Sequence, residues 1–209
     1  MSAAWDVVAE FERKVAEFAG AKHGVAVESC TAGLLLAMHY YHVDGEGAPP
    51  VTLPARTYIS VPMSVLHAGG SIVFQDFEWS GAYQLEPWPI WDSAKRFRRG
   101  MYMGGLYCVS FHLKKCLGIG RGGMVLTDND QAAAWLRRAR FDGRNGEVPF
   151  MQDKVEQLGW NCYMTPDQAA RGLQLLEGLR SDNLPDLYDP YPDLREMPVF
   201  KNHKRVRCE

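Results

Sequence analysis

The chain has 209 residues, 46% of them hydrophobic, with 23 Lys and Arg against 25 Asp and Glu for a formal net charge of -2. That length supports one compact α/β domain and argues against a second of full size. The near-neutral charge gives no electrostatic case for nucleic acid or an anionic membrane surface, which leaves small molecules and further copies of the chain as expected partners.

In chain order, Trp5, Val8, Phe11, Val15 and Phe18 recur at three- and four-residue steps with charged residues between them, an amphipathic helix closed by Gly20. Residues 24–27 form a short apolar run of strand type, followed by the polar turn Ser29-Cys30-Thr31-Ala32 and a helical segment over 33–41. Residues 51–54 and 71–74 read as strands on either side of a helix expected over 57–67. Further strands are expected over 89–92, 106–111 and 124–127, then a helix over 130–140 whose Arg137, Arg138 and Arg140 make a solvent-facing row. Thr165-Pro166-Asp167-Gln168 combines an N-cap, a proline at the first helical position and a capping-box glutamine, starting a helix that runs to about Leu179. From residue 181 to 209 the composition turns to Pro, Asp, Tyr and Lys without a period. The expected organisation is a domain over 1–180, a mostly parallel sheet flanked by helices, and an extended tail over 181–209.

The five cysteines are odd in number and form no C-x-x-C pair, which fits a reducing compartment. The N-terminus carries acids where a signal peptide needs a basic and then an apolar run, and no apolar stretch reaches membrane-spanning length, so a soluble cytoplasmic protein is expected. No His, Cys and acidic residues fall at metal-ligand spacing.

In an open parallel sheet, ligands sit beyond the carboxyl ends of the strands. Three polar clusters follow strands here: Ser29-Cys30-Thr31, Asp92, and residues 110–115. The turn at Thr31 opens a helix, whose N-H groups and dipole favour phosphate. An aldehyde cofactor needs an amine, a carboxylate to keep its ring nitrogen protonated, and a phosphate cradle; Lys115, Asp92 and the Thr31/Ser110 pair could supply them. On the residues alone, a lysine in a polar loop such as Lys115 is usually a solvated surface residue, and an aspartate before Ser93 is often a local cap. His112 could face a ligand or serve as a hydrogen-bonded structural residue, and the basic run at residues 95–99 could meet a phosphate or solvent.

A resemblance adds to this reading. Ser29-Cys30-Thr31-Ala32, Pro54-Ala55-Arg56-Thr57-Tyr58, Asp92-Ser93-Ala94, Ser110-Phe111-His112-Leu113-Lys114-Lys115 and the Gly120-Arg121-Gly122-Gly123 turn come in the order of the DegT/StrS-type nucleotide-sugar aminotransferases. The resemblance implies an aspartate-aminotransferase-like large domain that lacks the C-terminal small domain and is shortened between Phe77 and Pro89. It implies pyridoxal 5'-phosphate (PLP) held as an aldimine on Lys115, rather than on Lys114. Asp92 would pair with the pyridinium nitrogen, Ser110 and Thr31 would meet the phosphate with backbone N-H groups of Cys30 and Ala32, and Tyr58 would stack on the ring.

Lys95 stands where the family has glutamine or histidine near the phenolic oxygen, Arg121 where it has an acidic residue, and Tyr163 where it has arginine or asparagine. Asn161 would reach the phosphate of a neighbouring subunit in a homodimer. The implied reaction passes an amino group from a donor such as glutamate to a keto sugar nucleotide. A PLP-binding or structural remnant without efficient turnover is the competing reading, and dehydration or racemisation of a small amino compound is a third.

Overall fold

The computed structural model describes residues 5–183 and 191–208. The elements are α1 (Asp6–Ala19), β1 (His23–Val27), α2 (Cys30–Tyr40), β2 (Val51–Pro54), α3 (Ser60–His67), β3 (Ile72–Gln75), β4 (Tyr83–Gln84), β5 (Ile90–Asp92), β6 (Leu106–Ser110), β7 (Gly123–Thr127), α4 (Asp130–Ala139), α5 (Pro166–Glu177), α6 (Pro198–Lys201) and β8 (Val206–Cys208). The helix starts follow local chemistry. Ser29 caps α2, Asn129 accepts from the first-turn N-H groups of α4, and Thr165 with Gln168 makes the capping box of α5. Gly20 ends α1 at φ +84°, a left-handed conformation in which a side chain would be strained.

Five strands pair in the order β1-β7-β6-β5-β4, and β2-β3-β8 form a second, wholly parallel group. A bridge between Thr52 and Glu86 ties the two together. The expectation of a mostly parallel sheet needs correcting: in the larger group only β5 and β6 run parallel, while β1-β7, β7-β6 and β5-β4 are antiparallel. For β4 and β5 the reason is connection length. Between β4 and β5 there is room for a hairpin turn but not for a crossover helix, so the pair has to be antiparallel.

Side chains along the central strands alternate between two apolar layers. Val25, Cys108 and Val125 face α2, α3 and α4 with Leu34, Met38 and Leu136; Ala26, Tyr107, Val109, Met124 and Leu126 face α1 and α5 with Phe11, Val15 and Ala169. This period of two across buried strands is what a sheet covered on both faces requires.

Three local expectations differ from the structure. The third helix starts at Ser60, because Thr57 is withdrawn into the interior and bonded to Tyr83. Arg140 leaves the solvent-facing row, donating to Glu12 and to the carbonyl of Ala26 at 2.5 Å. The segment after residue 181 is also not an extended tail in its described part: residues 194–196 form a 3-10 turn, α6 follows, and β8 extends the parallel group beside β3. Leu194 and Phe200 carry that segment into the core, with the Phe200 ring edge-on to Phe74 at 5.5 Å.

Candidate active site

The ends of β5 and β6 and the first turn of α2 meet around Asp92. β5 directs Asp92 inward, leaving it 4% exposed. Its Oδ1 accepts from the Ala94 N-H at 3.0 Å, and the Tyr83 hydroxyl bonds to it from β4 while standing 2.7 Å from Thr57 Oγ1. The Cys30 thiol lies 3.3 Å from the Cys108 carbonyl oxygen and 4.0 Å from Asp92 Oδ1. With one proton to give, it serves the nearer acceptor and leaves Asp92 a weak contact.

Burial pushes the Asp92 carboxyl above its ordinary range, against the opposing pull of the Ala94 N-H, the Tyr83 hydroxyl, Lys115 and Lys95. Burial likewise raises Tyr83 and Cys30 well above their ordinary values, with Asp92 as the next cause in each. The result is a deeply buried carboxylate held by neutral donors, and a cation brought against it would gain from the low local polarity.

Two lysines act on this carboxylate. Lys115 lies in the loop between β6 and β7, half-buried, with its N-H on the His112 carbonyl at 2.8 Å, and its charge reaches both Asp92 and Cys30. Lys114 is exposed, and its N-H meets His112 Nδ1 at 3.4 Å. Lys95 is only 8% exposed and sits against two rings, 4.4 Å from the Tyr191 centroid and 5.5 Å from the Trp79 centroid.

The anion-cradle residues are placed less simply. Gly123 begins β7 directly under α2, where a Cβ would come within 2.5 Å of the Ser29 carbon and the Cys30 nitrogen, so only glycine lets the strand end approach the helix start. Thr31 Oγ1 donates to Ser60 Oγ at 2.9 Å. Ser110, 9% exposed, accepts from the His112 N-H at 3.3 Å. The Ala32 N-H donates to Ser29 Oγ at 3.1 Å, the N-cap of α2.

Tyr58 presents its ring to solvent at 57% exposure, 6.3 Å from Tyr191. Asn161 does not join the cluster; it is exposed, and its amide donates to Asp142 at 3.0 Å. Tyr163 packs edge-on against Trp5 and Phe141, and Arg121 pairs with Glu28 at 2.9 Å. His112 is exposed and bridges to Gly120, a loop-shaping position.

Sequence reasoning missed Tyr83, Tyr191 and Trp79. Tyr83 reaches Asp92 only because β4 sets it directly opposite in the ladder, which no spacing reveals. Tyr191 did carry a signal, as an aromatic residue in a polar segment.

Comparison with known proteins places this geometry. The model of the DegT/DnrJ/EryC1/StrS aminotransferase family matches residues 3–90 and 97–184; Asp92 and Lys95 fall between the two stretches. The chain is 26% identical over 226 residues to the spore coat polysaccharide biosynthesis protein SpsC of Bacillus subtilis, covering 82% of this chain and 57% of that protein. It is 29% identical over 214 residues to GDP-perosamine synthase of Caulobacter vibrioides, covering 81% and 56%. The chain therefore spans little more than half the length of these relatives. In fold it resembles AtS13 from Actinomadura melliaura, with a TM-score of 0.71 at 23% identity over 82% of this chain and 59% of that one. With the family model matched along most of its length and the fold in agreement, the chain belongs to the DegT/DnrJ/EryC1/StrS aminotransferase family.

Proposed function

We propose that this chain binds PLP at the Asp92 cluster and serves as an aminotransferase that moves an amino group from an amino acid such as glutamate to a keto sugar nucleotide. The observation that carries this reading is the deeply buried Asp92 at the end of β5, with the half-buried Lys115 in the loop that follows β6, in a family fold. The residues present fit the cofactor: a deeply buried carboxylate, a neighbouring amine, an open tyrosine ring and a helix start lined with hydroxyls.

PLP, when bound, supplies an electron sink for breaking a bond at an amino-bearing carbon. Asp92 holds a proton on the ring nitrogen, Tyr83 and the Ala94 N-H hold Asp92 ionised and in place, and Lys115 carries a proton to and from the reacting carbon. Tyr58 stacks on the ring. Thr31, Ser110 and the backbone at Cys30 and Ala32 take the phosphate, and Lys95 adds a cation on the side of residues 93–96. Asn161, exposed at the edge of the chain, would serve the phosphate of a second copy in a homodimer. The names of the two relatives, one a GDP-sugar synthase and one a polysaccharide biosynthesis protein, support the sugar-nucleotide substrate. Five free cysteines support a reducing, cytoplasmic setting.

The second reading, a PLP-binding or structural remnant without efficient turnover, is favoured by the short β4-β5 hairpin that fills residues 83–92. Absorbance spectra separate the two. Purified protein with PLP is expected to show a visible band that Lys115→Ala abolishes and that L-glutamate converts to a near-ultraviolet band. A Lys115-dependent band unmoved by any amino donor would select the remnant, and no band would remove the cofactor assignment.

A further inference from the structure

The segment from Tyr191 to Cys208 is fastened to the site by contacts that core packing does not require. Arg56, at the end of β2, pairs with Asp76 and reaches Asp193 at 3.2 Å; Arg195 reaches Asp76 at 2.9 Å and Asp193 at 2.6 Å. Two arginines and two aspartates thus close a ring across the ends of β2 and β3. The Leu194 N-H donates to the Ala55 carbonyl at 2.9 Å. On the other side, Trp79 Nε1 donates to the Arg56 carbonyl at 2.9 Å, so the same arginine anchors both aromatic partners. Tyr191 consequently lies nearly parallel to Trp79, with centroids 6.2 Å apart and planes 12° apart, and the Lys95 ammonium rests against both rings.

From this placement we infer that residues 191–195 form part of the cofactor site: Tyr191 and Trp79 hold Lys95 as a standing cation beside Asp92, so that the aromatic pair and Lys95 are positioning residues for PLP capture. This rests on the PLP reading above. The logic is that Asp92 must be ionised to receive a protonated ring nitrogen, while its setting opposes ionisation. Facing it are Tyr83 from β4, Cys30 from α2, Cys108 from β6, the Ala94 N-H, Lys115 and Lys95. Only the two lysines among these groups bring positive charge, and Lys115 is the amine that the proposed chemistry consumes. Lys95 is the cation that stays. The two ring faces attract that ammonium and offset part of what its burial costs.

The test is PLP binding followed by absorbance across pH for the wild type, Lys95→Gln, Tyr191→Ala, Tyr191→Phe and the Lys95→Gln/Tyr191→Ala double variant, each checked for a folded melt. Tyr191→Ala is expected to weaken PLP by about threefold to thirtyfold and to move the acid limit of binding to higher pH, with Tyr191→Phe restoring both. Lys95→Gln should do the same, and the double variant should lose no more than Lys95→Gln alone. If Tyr191→Ala lowers the melting temperature while the acid limit stays fixed, or if the two losses simply add, Tyr191 only ties down its own segment and the inference is overturned. A wild type without a Lys115-dependent band would overturn the cofactor reading itself, and this inference with it.

Discussion

Two buried carboxylates among the described residues, Glu12 and Asp92, are treated in opposite ways. Glu12, 6% exposed on α1, accepts from the Ala26 N-H at 2.8 Å, pairs with Arg140, itself mostly buried, and has Arg137 at 3.8 Å. Its charge is answered on the spot, and the result fastens α1 to β1 and to the end of α4. Asp92, just as buried, receives an N-H, a hydroxyl and a distant thiol, and burial outweighs the pull of these donors and of its two lysines. A satisfied buried charge is a structural tie, whereas an under-satisfied one holds free energy in reserve for a ligand.

The comparison breaks first at Glu12. Replacing it with alanine leaves the Arg140 guanidinium buried without its partner and strips the Ala26 N-H of its acceptor. Glu12→Ala should therefore lower unfolding free energy by about 3–5 kcal/mol. Urea titration reads this directly, and a loss under about 1 kcal/mol would mean that water re-satisfies Arg140 and that the tie is ornamental.

Asp92→Asn should act in the opposite sense on stability. Because burial raises the Asp92 carboxyl, the stability linked to it is present below the ordinary carboxylate range and is lost as pH rises through the folded value. The asparagine variant, which carries no such charge, should match the wild type below the ordinary carboxylate range and exceed it once pH rises through the folded Asp92 value. The same change should weaken PLP by about thirtyfold or more, since the ring nitrogen loses its counter-charge. Equal stability at all pH values would show that Asp92 is as well satisfied as Glu12.

This contrast also marks how far the sequence could be read. The helix from Trp5 to Phe18, the strand-turn-helix at 24–41 and the capped helix at Thr165 were legible because each depends on local periodicity or on a cap within four residues. Ordered motifs placed Asp92 and Lys115 at strand ends. What was not legible depends on pairings distant along the chain: the antiparallel β4-β5 hairpin that puts Tyr83 on Asp92, the inward turn of Arg140 onto Glu12, and the return of residues 191–208 to β3 and to Lys95. A polar, aperiodic segment reads as a tail until the Arg56, Asp76, Asp193 and Arg195 ring gives it somewhere to dock.

The smallest effect sharpens the comparison at the helix start beside Asp92. Ser29 spends its hydroxyl on the Ala32 N-H, one of the groups a cofactor phosphate would need. Ser29→Ala should cost about 1 kcal/mol in the absence of ligand, the usual loss on removing a serine cap. With saturating PLP the loss should shrink, because a phosphate at the N-terminus of α2 can accept the N-H that the serine released and adds its charge to the favourable end of the helix dipole. The measurement is the difference in melting temperature between Ser29→Ala and wild type, with and without PLP. A difference that narrows places the phosphate at α2 and makes Ser29 a stand-in cap that the ligand relieves; a difference that stays constant means the cap and the phosphate use different N-H groups, and Thr31 with Ser110 must then carry the anion.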